Sequence, residues 1–325
     1  MLGITLGDPN GVGPEILLRT YAENEFPADS IVIGDFDIIR FCNKHLGYRV
    51  PLNRLESPGE LKKGWLNIFD QGMMNENDLT IGKISIPAGK SSLQYVEKAT
   101  ELALAGTIDA IVTLPIHKEA VRLGKRDFRG HTDHIAELCG INNFTMMLVS
   151  DRLIVTHVSM HVSMLEAIGR IKSGHILEVI RLTEKAVRDL RGSARLAIAG
   201  LNTHAGDHGP FGDEETREIE PAVRLARNAG VEAYGPLPPE TLFYQAVQGK
   251  YDAVVCMYHD QGHIPLKLLA FDEAVNVTLG LPIIRTSVDH GTAFDIAYQG
   301  KASIRSFINA LELAERMVRA KKRKK

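Results

Sequence analysis

The feature that most restricts the fold is a set of short runs that are almost wholly apolar and rich in β-branched residues. They are Ile31–Ile33, Ala110–Thr113, Thr145–Val149, Leu153–Thr156, Leu196–Ala199, Ala253–Met257 and Val275–Thr278. A strand wetted on one face alternates apolar and polar residues, so runs without alternation suit strands covered on both faces. Segments of helical periodicity lie between them. Ser91–Ala105 closes on Gly106 as a C-terminal stop. His175–Leu190 puts Ile176, Val179, Ile180, Thr183, Val187 and Leu190 on one face. Ser306–Ala320 runs into the basic tail Lys321–Lys325, expected to be the solvated end of that helix because cations suit a helix C-terminus. This alternation predicts α/β layers around a largely parallel sheet. The tight Ser150-Asp151-Arg152 turn between two of the runs predicts a hairpin, which makes the sheet mixed.

A chain of 325 residues has room for two domains. Hydrophobic residues at 44%, charged residues at 24% and a net charge of −2 point to a globular protein and away from nucleic acid or an anionic membrane as partner. No apolar run approaches the roughly 20 residues that span a bilayer. The opening Met1-Leu2-Gly3-Ile4-Thr5 has no basic region and no long apolar stretch, so no signal peptide is expected. Cys42, Cys139 and Cys256 are far apart and form no CxxC pair, which fits a reducing cytoplasm and neither a disulfide framework nor a thiolate metal site.

Histidines carry the strongest chemical signal. Leu153–Thr156 leads into His157-Val158-Ser159-Met160-His161, Leu196–Ala199 into Gly200-Leu201-Asn202-Thr203-His204, and Ala253–Met257 into Tyr258-His259-Asp260. Ligands of open α/β sheets bind outside the C-terminal ends of the strands. Three imidazoles delivered there could hold one divalent metal with positions left open for substrate. A single histidine at a strand end is an ordinary hydrogen-bonding residue, the role expected of His157; the repetition raises the metal reading. Asp260 beside His259, and Asp207 three residues after His204, could orient the rings.

A second set suggests an anion site. Gly130-His131-Thr132-Asp133 is a turn entering a helix, and Lys267, Asn276 and Arg285 follow later. Arginine offers a planar fork, lysine a point charge, and a helix start its free N–H groups. Lys118, in Thr113-Leu114-Pro115-Ile116-His117-Lys118, could act as a general base or acid. The opening Thr5-Leu6-Gly7-Asp8-Pro9-Asn10-Gly11-Val12-Gly13-Pro14-Glu15 reads as strand, glycine-rich turn and helix with Pro14 at its first position. It is neither GxGxxG nor a Walker loop, and no GxGxxG occurs elsewhere.

At these motifs the sequence resembles the 4-hydroxythreonine-4-phosphate dehydrogenase family of vitamin B6 synthesis, essentially end to end. The blocks that carry the resemblance are residues 7–16, Gly130-His131-Thr132, residues 201–206, Met257-Tyr258-His259-Asp260-Gln261-Gly262 and residues 276–292. It implies an isocitrate/isopropylmalate-dehydrogenase-like fold, two α/β domains about a central cleft with a mixed sheet. Residues 1–115 with 275–325 would form a first, NAD-associated domain, and 116–274 a second with the metal and the dimer interface. It implies a homodimer with the active site at the subunit interface, and a divalent metal (Zn, Mg, Mn or Co) held by His161, His204 and His259. Substrate contacts would fall on His131, Thr132, Lys267, Asn276 and Arg285, with Lys118 and Asp260 the candidates for proton handling. NAD is implied too, bound by residues the motifs do not identify.

The implied reaction is oxidation and decarboxylation of 4-hydroxythreonine 4-phosphate to 3-amino-2-oxopropyl phosphate, a step toward pyridoxal phosphate. Several positions depart from the usual pattern: Asn10, Leu114, Thr203, Asp207 and Glu240. His263, with the segment holding His161, looks like a sister branch. That branch applies the same chemistry to 4-phospho-D-threonate or D-erythronate, giving dihydroxyacetone phosphate and CO2. A metal-dependent phosphatase using the same histidines is a third reading.

Overall fold

The structure, a computed structural model, describes residues 1–324; Lys325, the last residue of the basic tail, lies outside the described residues. The chain divides into two compact units, Met1–Asn142 with Leu281–Arg319, and Asn143–Gly280 with Ala320–Lys325.

In chain order the first unit begins with β1 (Leu2–Thr5), α1 (Gly13–Ala22), β2 (Ser30–Gly34), α2 (Phe36–Leu46), β3 (Leu52–Leu55) and β4 (Leu66–Asp70). It continues with α3 (Ile86–Leu104), β5 (Ala110–Thr113), α4 (Lys118–Arg122) and α5 (His131–Leu138). The second unit holds β6 (Thr145–Val149), β7 (Ile154–His157), α6 (Met164–Gly169), α7 (Ser173–Arg191), β8 (Arg195–Ala199) and α8 (Glu220–Asn228). Then come β9 (Glu232–Leu237), α9 (Pro239–Val247), β10 (Ala253–Cys256), α10 (His259–Ala270) and β11 (Val275–Leu279). The chain closes with β12 (Ile284–Val288) and α11 (Arg305–Lys322).

The strands of the first unit run β3-β4-β2-β1-β5-β12, and every pairing among them is parallel. The chain leaves β1 toward β2 and later returns on the other side of β1 as β5. The C-terminal ends of β1 and β5 therefore flank a topological switch point, where doubly wound sheets leave a crevice. The strands β1, β2 and β5 are buried along their whole length, as their unalternating composition predicts.

The strands of the second unit run β11-β6-β7-β10-β8-β9. Only β6 is reversed: it pairs antiparallel with β7, as expected of the hairpin, and with β11. The pairs β7–β10, β10–β8 and β8–β9 are parallel. The sheet is mixed, as the sequence predicts. Along α7 the expected stripe is buried at Ile176, Val179, Ile180, Thr183 and Val187 and half-buried at Leu190. A fully buried aliphatic side chain contributes about 1.5–3 kcal/mol, enough to hold the helix on its sheet. A cluster including Leu148, Val155, Ala197, Val254 and Leu266 sits beneath the strand ends that carry the histidines.

The segment 116–142, expected with the second domain, groups with the first unit, and 275–280 groups with the second. The cause is local packing: α4 and α5 lie on α3, and the buried His134 of α5 hydrogen-bonds Glu97 of α3 at 3.0 Å. Ser85 starts α3 five residues earlier than the apolar periodicity suggests, because its hydroxyl accepts from the Ala88 N–H and Pro87 fits the first turn. Among the described residues no helix is long and apolar enough to cross a membrane.

Candidate active site

The first cluster lies at the switch point of the first unit. Arg285 projects from β12 and is 1% exposed, the largest fully buried side chain described. Its Nη2 donates to Thr113 Oγ1 at 2.7 Å, at the C-terminal end of β5, and its Nη1 to Thr132 Oγ1 at 3.4 Å, in the first turn of α5. The guanidinium is thus pinned between a strand end and a helix start. Burial pushes its pKa down to about 9, so it stays charged at neutral pH. His131 opens α5. Burial first, then the charges of Arg285 and Lys118, hold its imidazole well below the usual range, so it is neutral. Its Nε2 is buried without a hydrogen-bond partner. Gly130 caps α5 with φ 153° and offers no side-chain acceptor to the free N–H groups.

The turn after β1 packs against the same end of the sheet. The Asp8 N–H donates to the Pro115 carbonyl at 2.8 Å, and Asp8 Oδ1 accepts from the Asn10 N–H at 2.9 Å. Burial raises the Asp8 carboxyl to about 6 against backbone hydrogen bonds from Asn10 and His117. Asn10, one of the departures, uses its amide fully. Its Nδ2 donates to Thr80 Oγ1, the Lys83 carbonyl and Ser85 Oγ, and its Oδ1 accepts from the Thr80 N–H. It latches the 80–85 loop to the turn, which alanine could not do.

The second cluster lies at the strand ends of the second unit. His157 ends β7, His259 opens α10 and His204 falls in the short 3-10 segment Thr203–His208 after β8. The strands β7, β10 and β8 are neighbours, so the three elements emerge side by side as the sequence pattern implied. The ring centroids of His161 and His259 are 5.8 Å apart. His259 Nδ1 meets Asp260 Oδ1 at 2.6 Å, so the expected orienting partner is in place. For His204 the partner is Glu240 rather than Asp207: Nδ1 meets Glu240 Oε1 at 2.6 Å. Asp207 sits three residues on with φ 44°, inside a left-handed run that begins at His204 itself, φ 51°. His161 has φ 49°. Left-handed backbone costs a non-glycine residue roughly 1–2 kcal/mol, and two of the three expected ligands bear that cost.

The strained loop is braced from behind. The buried Glu215 accepts from the Leu201 and Asn202 N–H groups at 2.7 Å each, and Gln261 joins the ends of β10 and β8 by donating to the Gly200 carbonyl while accepting from the Met257 N–H. His263, one turn along α10, stacks on His259 with centroids 3.6 Å apart, and its Nδ1 lies 3.2 Å from His157 Nε2. Burial lowers His263 to about 4 and His157 well below its ordinary value. These two are the core of the cluster.

Among the described residues no three His, Cys, Asp or Glu side chains of one chain gather closely enough to hold a metal ion. His161 and His259 are neighbours; His204 stands apart, edge-on to Phe211. The donor chemistry nonetheless suits a divalent cation. A carboxylate on Nδ1 of His204 and of His259 leaves each Nε2 as the ligating atom, the usual outer support of metal-bound imidazoles. A cavity of about 370 Å³ lined by Ser159, His161, Tyr258, His259 and Asp260 opens beside the pair. Of the remaining expected contacts, Lys267 lies on α10 with its ammonium 5.0 Å from the Phe271 ring centroid, and Asn276 lies on β11 with a buried, unpartnered Oδ1. His157 is the hydrogen-bonding residue expected of it, while sequence reasoning missed Thr113 and the roles of Glu240 and His263.

The chain matches known proteins over nearly its whole length. The family described as "Pyridoxal phosphate biosynthetic protein PdxA" matches residues 27–314. A D-threonate 4-phosphate dehydrogenase of Salmonella typhimurium is 42% identical over 318 residues, 96% of this chain and 97% of that protein. A 4-hydroxythreonine-4-phosphate dehydrogenase of Geobacter metallireducens is 45% identical over 98% of this chain and 95% of its own length. The solved structure of a 4-hydroxythreonine-4-phosphate dehydrogenase from Klebsiella pneumoniae superimposes with a TM-score of 0.88 at 39% identity, covering 98% of this chain and 99% of that one. The chain therefore belongs to the PdxA family and is an enzyme of the dehydrogenase type.

Proposed function

We propose that this chain, as a cytoplasmic homodimer, carries out NAD-linked oxidation and decarboxylation of a four-carbon 3-hydroxy acid bearing a 4-phosphoryl group. The observation that carries the reading is the buried Arg285, fixed by Thr113 and Thr132 beside the uncapped start of α5 and a neutral His131. A buried cation with free N–H groups beside it is chemistry for a phosphoryl oxyanion. Lys267 and Asn276 are proposed as further substrate contacts; the buried Asn276 Oδ1 supports this, since an unpaired acceptor of that kind has a donor to gain.

His161, His204 and His259 are proposed to hold the divalent metal. His161 and His259 meet within one chain while His204 does not join them, so a second copy of the chain supplies the missing imidazole. The exposed Ile264, Leu268 and Phe271 on one face of α10, with Met164 and Leu165 on α6, flank the pair and suit burial against that copy. A cation held by these imidazoles would supply Lewis-acid polarisation at the C3 hydroxyl, and a bound NAD would supply the hydride acceptor. Asp260, exposed beside His259, is assigned the hydroxyl proton. The phosphoryl grip aligns C3 for transfer.

The substituent at C2 separates two readings. An amine makes the substrate 4-hydroxythreonine 4-phosphate and the product 3-amino-2-oxopropyl phosphate. A hydroxyl makes it D-threonate 4-phosphate and the product dihydroxyacetone phosphate; relatives named for the two substrates are similarly close to this chain, 42% identical for the Salmonella protein and 45% for the Geobacter one. The test is NADH absorbance with each acid and Zn²⁺, Mg²⁺, Mn²⁺ or Co²⁺. NADH with one acid at a clearly higher kcat/KM assigns the substrate. Phosphate release without NADH would replace the proposal with a metal-dependent phosphatase.

A further inference from the structure

Lys118 opens α4, five residues past the end of β5, and its side chain crosses over Gly130. A Cβ at Gly130 would lie 3.4 Å from Lys118 Cε and 3.7 Å from its Nζ, so the ammonium sits at the N-terminal cap of α5. That is an unfavourable place for a cation, because the free N–H groups give a helix start the equivalent of about half a positive charge. Arg285 donates to Thr132 in the same helical turn, and the neutral His131 supplies no negative charge. Asp133 is the acid of that first turn, yet among the described residues no carboxylate lies within ion-pair distance of Lys118. Three positive ends thus converge on one turn of helix. Lys118 is exposed, so water screens this repulsion, and an anion seated between it and Arg285 would turn it into attraction.

We propose that Lys118 is a ligand of the substrate's phosphoryl group, acting with Arg285 and the start of α5, rather than the group that moves the hydroxyl proton. Two unit charges and the helix end match a dianionic monoester. Gly130 leaves room for the lysine stem, and its φ of 153° is one that few other residues adopt. The inference rests on the phosphoryl site proposed above and adds a residue to it.

The experiment uses the full-length protein, as wild type, Lys118→Gln and Lys118→Arg, with circular dichroism confirming the fold of each. Calorimetric titration measures inorganic phosphate and, separately, NAD. Lys118→Gln is expected to bind phosphate at least about tenfold more weakly, the scale of one charge-assisted hydrogen bond, and to keep its affinity for NAD. Lys118→Arg should recover most of the phosphate affinity. In turnover the loss should fall mainly on KM, and the pH profile of kcat should keep its shape. Unchanged phosphate affinity in Lys118→Gln, with binding intact in wild type, overturns the assignment alone. Absent phosphate binding in wild type overturns the phosphoryl site and the assignment together. Loss of NAD affinity instead would move Lys118 to the dinucleotide's pyrophosphate. A fall in kcat with loss of one limb of its pH profile would return Lys118 to proton transfer.

Discussion

The two imidazole-bearing regions are built in opposite ways. Around His131 one chain supplies everything: Arg285 is buried, its fork is set by two threonine hydroxyls, and the neighbouring imidazole is held neutral. Around His161, His204 and His259 the rings are open to solvent or half-buried, two stand on left-handed backbone, and a carboxylate meets Nδ1 of His204 and of His259, with no three such side chains gathered among the described residues. The difference teaches that the buried cation beside α5 is set by folding of one chain, so the grip proposed for the substrate's anionic end needs no second subunit. The reacting end, on the proposed reading, is finished by a cation and a second subunit.

Changes that separate the two regions give the sharpest tests. The largest effect is expected from His204→Ala. NADH formation should fall below detection and metal content by elemental analysis should drop, while calorimetric binding of inorganic phosphate stays at the wild-type value. Loss of phosphate binding as well would mean that the regions are not independent. Next in size is Arg285→Lys. A lysine ammonium lacks the planar fork that Thr113 and Thr132 hold in place, so KM should rise about a hundredfold, a loss of roughly 3 kcal/mol of charge-assisted bonding, with metal content intact. A change in metal content without a change in KM would reverse the two assignments.

Glu240→Gln should weaken metal affinity by roughly ten- to a hundredfold in a competition titration, the usual cost of losing an outer-shell carboxylate. Equal affinity in wild type and variant would leave His204 unsupported by that contact. The smallest effect concerns Asp8 and stability. Its carboxyl titrates at about 6 when folded against an ordinary 3.8, so the folded state binds the proton more tightly. The sign follows: Asp8 costs nothing below the unfolded value, and its cost grows as pH rises through 6, to no more than about 3 kcal/mol. Asp8→Asn should therefore raise Tm by a few degrees at pH 7 and much less at pH 4. A pH-independent difference would show that the buried charge is not the cause.

The sequence made the central strands legible because they are buried on both faces and nothing else competes for such residues. The edges were harder. The half-buried β3 carries Asn53 and Arg54, and β9 contains Gly235 and Pro236, residues that interrupt a strand pattern. The strand β12 was hidden by its composition: Ile284-Arg285-Thr286-Ser287-Val288 is buried throughout, yet three of its residues are polar. Histidines at strand ends were visible from position alone. Their supports were not: Glu240 is 36 residues from His204, and the packing of His263 on His157 spans 106. Such pairings depend on how a sheet stacks its crossovers, which local periodicity does not encode.

Gly262 lies inside α10, where glycine is a poor helix former. A methyl group there would come within 2.6 Å of His157 Nε2 and 2.8 Å of Cys256 Sγ. One missing carbon therefore acts as a depth stop for the whole helix. His259, Asp260, His263 and Lys267 all ride on α10, so lifting it by a methyl's width would retract them in concert. Redesign of substrate preference in this protein can vary the residues around position 262 one at a time, but it has to treat that position as fixed.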